Sequence, residues 1–199
     1  MASERLAQHT GDAVVVYQAY RPAVGLYAAR YKHFGGEFSL SRMSWIKPNF
    51  LWMMYHSGWG TKDGQEVTLA VWIRRVAFDE ILQQAVPSTF APAVYADEAA
   101  WKRAVLESAV RLQWDPDHTP SGGAVARRAM QLGLRGEVLA RYARDWIIDI
   151  EDISDFVAEQ RVLVQTRAYA RLITPREAIY PVQNRQTATS IDVSPVEEL

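Results

Sequence analysis

The sequence predicts a single α+β domain in which a mixed β-sheet is packed by helices, and three observations carry that expectation. The 199 residues suit one domain, and 49% apolar with 11% aromatic side chains are ample for a core. Runs rich in β-branched residues at 13–20 and 66–74 read as strands, with helical patterns between them. The interleaving is irregular, and no internal repeat, GxGxxG or Walker-type loop occurs, which favours a mixed sheet over a regular βαβ array.

In chain order, residues 1–11 are polar and predicted to be a flexible N-terminus, residues 12–182 the domain, and residues 183–199 a polar tail. The run AVVVYQAY at 13–20 reads as a strand buried on both faces. Pro22 ends it and opens a helix over 22–33, with Val24, Tyr27, Ala28 and Tyr31 on one face and Gly35-Gly36 closing it. Residues 41–46 are short and extended. Pro48 at a first helical turn starts a helix over 49–56 that is apolar nearly all round and therefore central. Residues 66–74 form a strand and 76–85 a helix, while the Pro-containing stretch 87–92 is loop. An amphipathic helix is predicted over 98–108, with Trp101, Val105 and Leu106 inward. The strand at 109–114 ends in an Asp115-Pro116-Asp117 turn, and 120–123 is a flexible loop. A strand over 127–134 and a helix over 136–146 follow, then a short apolar segment at 147–150. Residues 155–164 fit strand or helix equally, and 175–181 form a turn. The tail, with its acidic end, is expected to drape over the surface or be disordered.

Composition narrows the function classes. With 22 basic and 23 acidic side chains the net charge is −1, which argues against general nucleic-acid coating while allowing a small basic pocket. The absence of Cys excludes disulfides, a thiol nucleophile and thiolate metal sites. The four His are scattered without ligand spacing, so no metal is expected. No apolar run approaches the ~20 residues of a membrane span, and the N-terminus lacks a signal peptide's apolar core, so a cytoplasmic location is expected. Seven Trp read either as half-buried structure or as flat platforms for a ring or sugar.

The densest chemistry surrounds the 49–56 helix: Arg42, Ser44, Trp45 and Lys47 precede it, and Tyr55, His56 and Trp59 close it. Two cations where a strand feeds a helix suit a phosphate or other small anion, although an Arg and a Lys merely flanking a core helix would look the same. A second group, Tyr17, Gln18, Tyr20 and Arg21, ends the first strand, where Gln18 is either a satisfied core amide or a ligand-reading one. Gln113 near Arg111, and Gln131 near Arg128, share strand-like stretches that fit a polar face in water as well as a site. His56 reads as a general acid or base, or as a helix-dipole partner, and the acidic run 145–152 as a solvated face.

Several strings resemble domain-of-unknown-function family 4291: VYQAY (16–20), SRMSWIKPNFLWMMYHSGW (41–59), LAVWIRR (69–75), VRLQWDP (110–116) and RRAMQLGL (127–134). The pattern at 146–153 and PREAIYP at 175–181 fit as well, and the resemblance covers about residues 12–182, with His56 standing where Arg is expected. That family name implies no activity. The element order also resembles ADP-ribosyltransferase-like folds, in which polar residues of the early strands and a late Glu or Gln grip a dinucleotide. That resemblance implies catalytic parts for Gln18 or Arg21, for Ser44 and for Gln113 or Gln131, with NAD as cofactor; no Glu matches the usual catalytic position. Ligand binding is expected from Tyr17, Tyr20, Arg21, Arg42, Trp45, Lys47, Tyr55, His56, Trp59 and Arg128. The expected function is therefore a nucleotide-handling enzyme, of ADP-ribosyl or phosphoryl transfer on NAD or a nucleotide or RNA phosphate. The alternative is a non-catalytic module that binds a nucleotide or small anion, and a pocket carboxylate would favour the enzyme.

Overall fold

The computed structural model describes residues 6–193, so expectations for residues 1–5 and for the acidic end at 194–199 lie outside it. The first half runs β1 (Leu6–Ala7), β2 (Ala13–Tyr20), α1 (Pro22–Tyr31), β3 (Ser44–Ile46), α2 (Phe50–His56), β4 (Val67–Arg74), α3 (Arg75–Gln83), β5 (Ala85–Pro87) and α4 (Glu98–Glu107). The second runs β6 (Val110–His118), β7 (Ala124–Leu134), α5 (Gly136–Arg144), β8 (Ile147–Asp152), α6 (Ser154–Gln165), β9 (Ala178–Ile179) and α7 (Arg185–Ser190).

The strands form an antiparallel sheet in the order β2-β4-β8, a sheet β3-β7-β6-β5 and a small pair β1-β9. The β5–β6 pair is parallel and the others are antiparallel. This is the mixed α+β architecture expected. The two larger sheets are stitched at one point, where Tyr17 N donates to Lys47 O at 2.7 Å and Lys47 N to Tyr17 O at 3.2 Å. β2 is apolar apart from Gln18 because both its faces are buried over most of its length. Val14 and Val16 enter the main core, and Val15 and Tyr17 enter a second cluster with Phe50, Met53, Met54 and Trp59. α2 is central as its all-round apolarity requires: Phe50, Trp52, Met53 and Met54 are buried.

Several boundaries differ from expectation for identifiable reasons. α1 ends at Lys32, which takes the left-handed conformation (φ 59°), rather than at the glycines. Lys32 Nζ donates to Ile150 O at 2.6 Å and pairs with Asp149 at 2.8 Å. Pro48 stands outside α2; Asn49 is its N-cap and accepts from Trp52 N at 2.8 Å. Asp115-Pro116-Asp117 does not turn but continues β6, with a register shift before His118. β5 pairs only as far as Leu112, so the missing N–H of Pro116 falls on an open edge. Part of the expected 85–92 helix end and loop forms β5, and the undecided 155–164 segment is helical in α6. α4 buries no residue, and Leu106 is 73% exposed rather than inward. Of the expected flexible N-terminus, Leu6–Ala7 pair with β9. The described part of the tail, 183–193, does not drape: Asn184 caps α7, and Ala188, Ile191 and Val193 are core residues. No helix among the described residues is long and apolar enough to cross a membrane.

Candidate functional site

The site grows from the end of β2. Strand alternation sends Gln18 and Tyr20 to the same side as Val14 and Val16, where β3 crosses and Ser44 arrives. The Gln18 amide is 1% exposed and fully engaged. Its Oε1 accepts from Tyr142 OH at 2.7 Å, and its Nε2 reaches Tyr20 OH (2.7 Å), Ser44 Oγ (3.0 Å) and Trp45 O (3.1 Å). Tyr20 OH and Ser44 Oγ are 2.6 Å apart. The two hydrogens of Nε2 are shared among those three acceptors, and since one hydroxyl of the Tyr20–Ser44 pair donates to the other, one hydroxyl proton of the pair is left over for a ligand. Burial pushes the Tyr20 phenol up to about 12, eased by Ser44, Arg42 and Gln18, so it stays protonated and donates. Neither partner of Ser44 is a base at neutral pH, and Ser44 is thus a binding hydroxyl rather than an activated nucleophile.

Beside this network opens a cleft of about 560 Å³, lined by Gln18, Tyr20, Arg21, Arg42, Ser44, Trp45, Lys47 and His56, with Met53 in its wall. The sequence singled out those eight polar and aromatic residues, and the fold brings them together. Their electrostatic roles diverge. Arg21 is tied to Glu37 at 2.6 Å, an exposed pair. Arg42 is exposed, and among the described residues it has no hydrogen bond or ion pair. Lys47 is buried, pinned through its backbone to Tyr17, and among the described residues the acceptor of its ammonium is Trp45 O at 3.4 Å. Burial lowers its pKa to about 8, with Asp115 opposing the fall, and Nζ lies 5.9 Å from the Trp52 ring centre. His56 keeps an edge in solvent, but its ring stacks on Trp52 at 4.8 Å. Desolvation, then the charges of Lys47 and Lys62, push it down to about 4, so it is neutral at physiological pH.

The remaining expected residues lie elsewhere. Gln113 and Gln131 are cross-strand partners, and both amides turn to Asp115, at 2.9 Å and 2.7 Å, rather than into the cleft. Tyr17 belongs to the second core cluster and reaches Gln8 at 3.2 Å. Tyr55 donates to Pro120 O at 2.6 Å and stacks on His118. Trp59, in a left-handed turn, packs its indole against Phe50 and Tyr55. Arg128 pairs with Asp192 at 2.7 Å and covers the Trp114 ring.

Three contributors escaped the sequence reading. Asp115 shares a strand face with Gln113, a signal hidden by taking Asp115-Pro116 for a turn. Tyr142 looks in the sequence like one more apolar-face residue of α5. Glu177, half-buried, accepts from Phe50 N at 2.5 Å and from Asn49 Nδ2 at 2.9 Å, anchoring the start of α2. Burial lifts its carboxyl to about 7, against the pull of the Phe50 hydrogen bond. Nearby, fully buried Asp117 is paired with Arg127 at 2.5 Å.

The cleft therefore combines a permanent cation at its mouth, a desolvated amine in its depth, a hydroxyl donor and an indole surface. The family described as domain of unknown function (DUF4291) matches residues 4–180, and the chain belongs to that family. No curated protein matches it.

Proposed function

We propose that the cleft binds a phosphate-bearing nucleotide, with NAD the leading candidate, and that the protein acts on it by ADP-ribosyl or phosphoryl transfer. The observation that carries this reading is Lys47. A buried ammonium with a single long acceptor is costly unless an anion completes it. Arg42, free of protein partners among the described residues, faces the same cleft. In this reading Arg42 and Lys47 hold phosphate oxygens, the Tyr20–Ser44 pair donates to a ribose or amide oxygen, and Trp45 stacks a ring. In this reading Asp115, which is held by two amides and lies outside the residues that line the cleft, stabilises a developing oxocarbenium through space, as its charge already acts on Lys47 and His56. The order β2, α1, β3, α2, β4 is the one that resembles ADP-ribosyltransferase-like folds.

One observation favours the alternative of a non-catalytic nucleotide-binding module. The carboxylates that line the cleft directly, Glu37 and Asp63, are exposed, and Glu37 is occupied by Arg21. Incubation with NAD, followed by mass spectrometry for released nicotinamide and for ADP-ribose on protein or added RNA, separates the two. Turnover that is lost in Asp115→Asn supports the enzyme, and saturable NAD binding without turnover supports the module.

A further inference from the structure

Four lysines occur in the chain, and three of them are conventional. Lys32 is paired with Asp149, Lys102 with Glu98, and Lys62 donates to His56 O. Lys47 differs in every respect that governs amine chemistry. Its backbone is locked by two hydrogen bonds to Tyr17 at the junction of the sheets, so its stem is held in place. No carboxylate touches Nζ to keep it protonated: Asp115 acts only through space, its oxygens being taken by Gln113 and Gln131. The walls are Trp52 and Met53, and the amine opens into the cleft whose mouth carries Arg42. A desolvated, unpaired, positioned lysine amine is the arrangement that makes a nucleophile.

We propose that Lys47 is a nucleophilic amine that condenses with the carbonyl carbon of a phosphate-bearing aldehyde or reducing sugar seated in the cleft. Nζ attacks the carbonyl carbon and forms a C–N bond. The carbonyl oxygen then departs as water, carrying the two protons lost by nitrogen, and an imine remains. No oxidant or reductant is consumed. The groups lining the cleft that are able to move those protons are neutral His56 from α2 and the Tyr20–Ser44 hydroxyls, while Asp115 from β6 acts on the amine only through space. This condensation goes beyond the nucleotide reading, in which the ammonium of Lys47 holds a phosphate: here its unprotonated amine meets a carbonyl carbon while Arg42 holds the phosphate, and only that phosphate contact rests on the nucleotide reading.

The test is reductive trapping on the full chain. Pyridoxal 5′-phosphate and, separately, pyridoxal are added with cyanoborohydride from pH 6.5 to 10, and adducts are mapped by peptide mass spectrometry. Lys47 should be labelled about tenfold or more faster than Lys32, Lys62 or Lys102 near pH 7.5, because a larger share of its amine is unprotonated. Its labelling should level off above about pH 8, while that of the other lysines keeps rising. The phosphate-bearing probe should label Lys47 faster than pyridoxal, and Lys47→Arg should abolish the selective adduct. Equal labelling of all four lysines, in a protein with native circular dichroism, overturns the proposal. Selective labelling of Lys47 with no preference for the phosphate overturns the anion reading instead and leaves the nucleophile standing.

Discussion

At the scale of single residues, the burial of Lys47 has a measurable sign. Its folded pKa, about 8, lies below the ordinary 10.5, so between those values the unfolded chain binds more protons. Stability should rise as pH climbs through that window, and at neutral pH the charged amine costs the fold roughly 2–3 kcal/mol. Lys47→Met should therefore raise the melting temperature at pH 7 and flatten the gain between pH 8 and 10.5, as scanning calorimetry would show. A lysine with a structural pairing would give the opposite result. Arg42→Ala should leave stability within about 0.5 kcal/mol, because the side chain is exposed. The same change should weaken nucleotide binding by ~10- to 100-fold, with a smaller effect at high salt.

At the scale of elements, the site depends on α2 and on the β3–β7 pairing. The start of α2 is held by Asn49 as N-cap and by the Glu177 carboxylate, so Asn49→Ala should cost about 1–2 kcal/mol in urea denaturation. It should also weaken ligand binding, because α2 carries His56 and walls Lys47. Trp45 lies over Gly133, where a Cβ would come 3.0 Å from the indole and 2.5 Å from Met43 Sδ. Gly133→Ala should displace the indole and quench or shift its fluorescence response to ligand. The strands and the apolar helix were legible in the chain because β-branched runs and all-round apolarity admit few readings. Caps and bulges were less so: Pro48 suits a first turn as well as the position before a cap. Pro116 looks like a terminator unless the absence of a neighbouring strand at that level is known. The cations and hydroxyls before α2 were legible as a group, since contiguity in sequence becomes contiguity at one strand–helix junction. Asp115 and Tyr142 were not, because their roles arise from strand register and helix docking.

At the scale of the whole molecule, the chain closes on itself at both ends of the described region. The tail looked solvated because its residues are mostly polar, yet Ala188, Ile191 and Val193 are spaced to fill the core, and Trp114 Nε1 donates to Ile191 O at 3.1 Å. Ile191→Ala should cost about 2–5 kcal/mol in denaturant unfolding, against the near-zero value of a draped tail. The two sheets meet at Tyr17 and Lys47, so the residue that joins them is also the one whose amine faces the cleft. The most direct measurement of that coupling is calorimetric titration of wild type and Lys47→Met with NAD and with ADP-ribose, at low and high salt. Saturable binding by wild type that salt weakens, and that drops at least ~10-fold in a Lys47→Met protein of undiminished melting temperature, is the predicted result. Equal affinity in the two proteins, or no binding of either ligand by wild type, would contradict the nucleotide reading of the cleft.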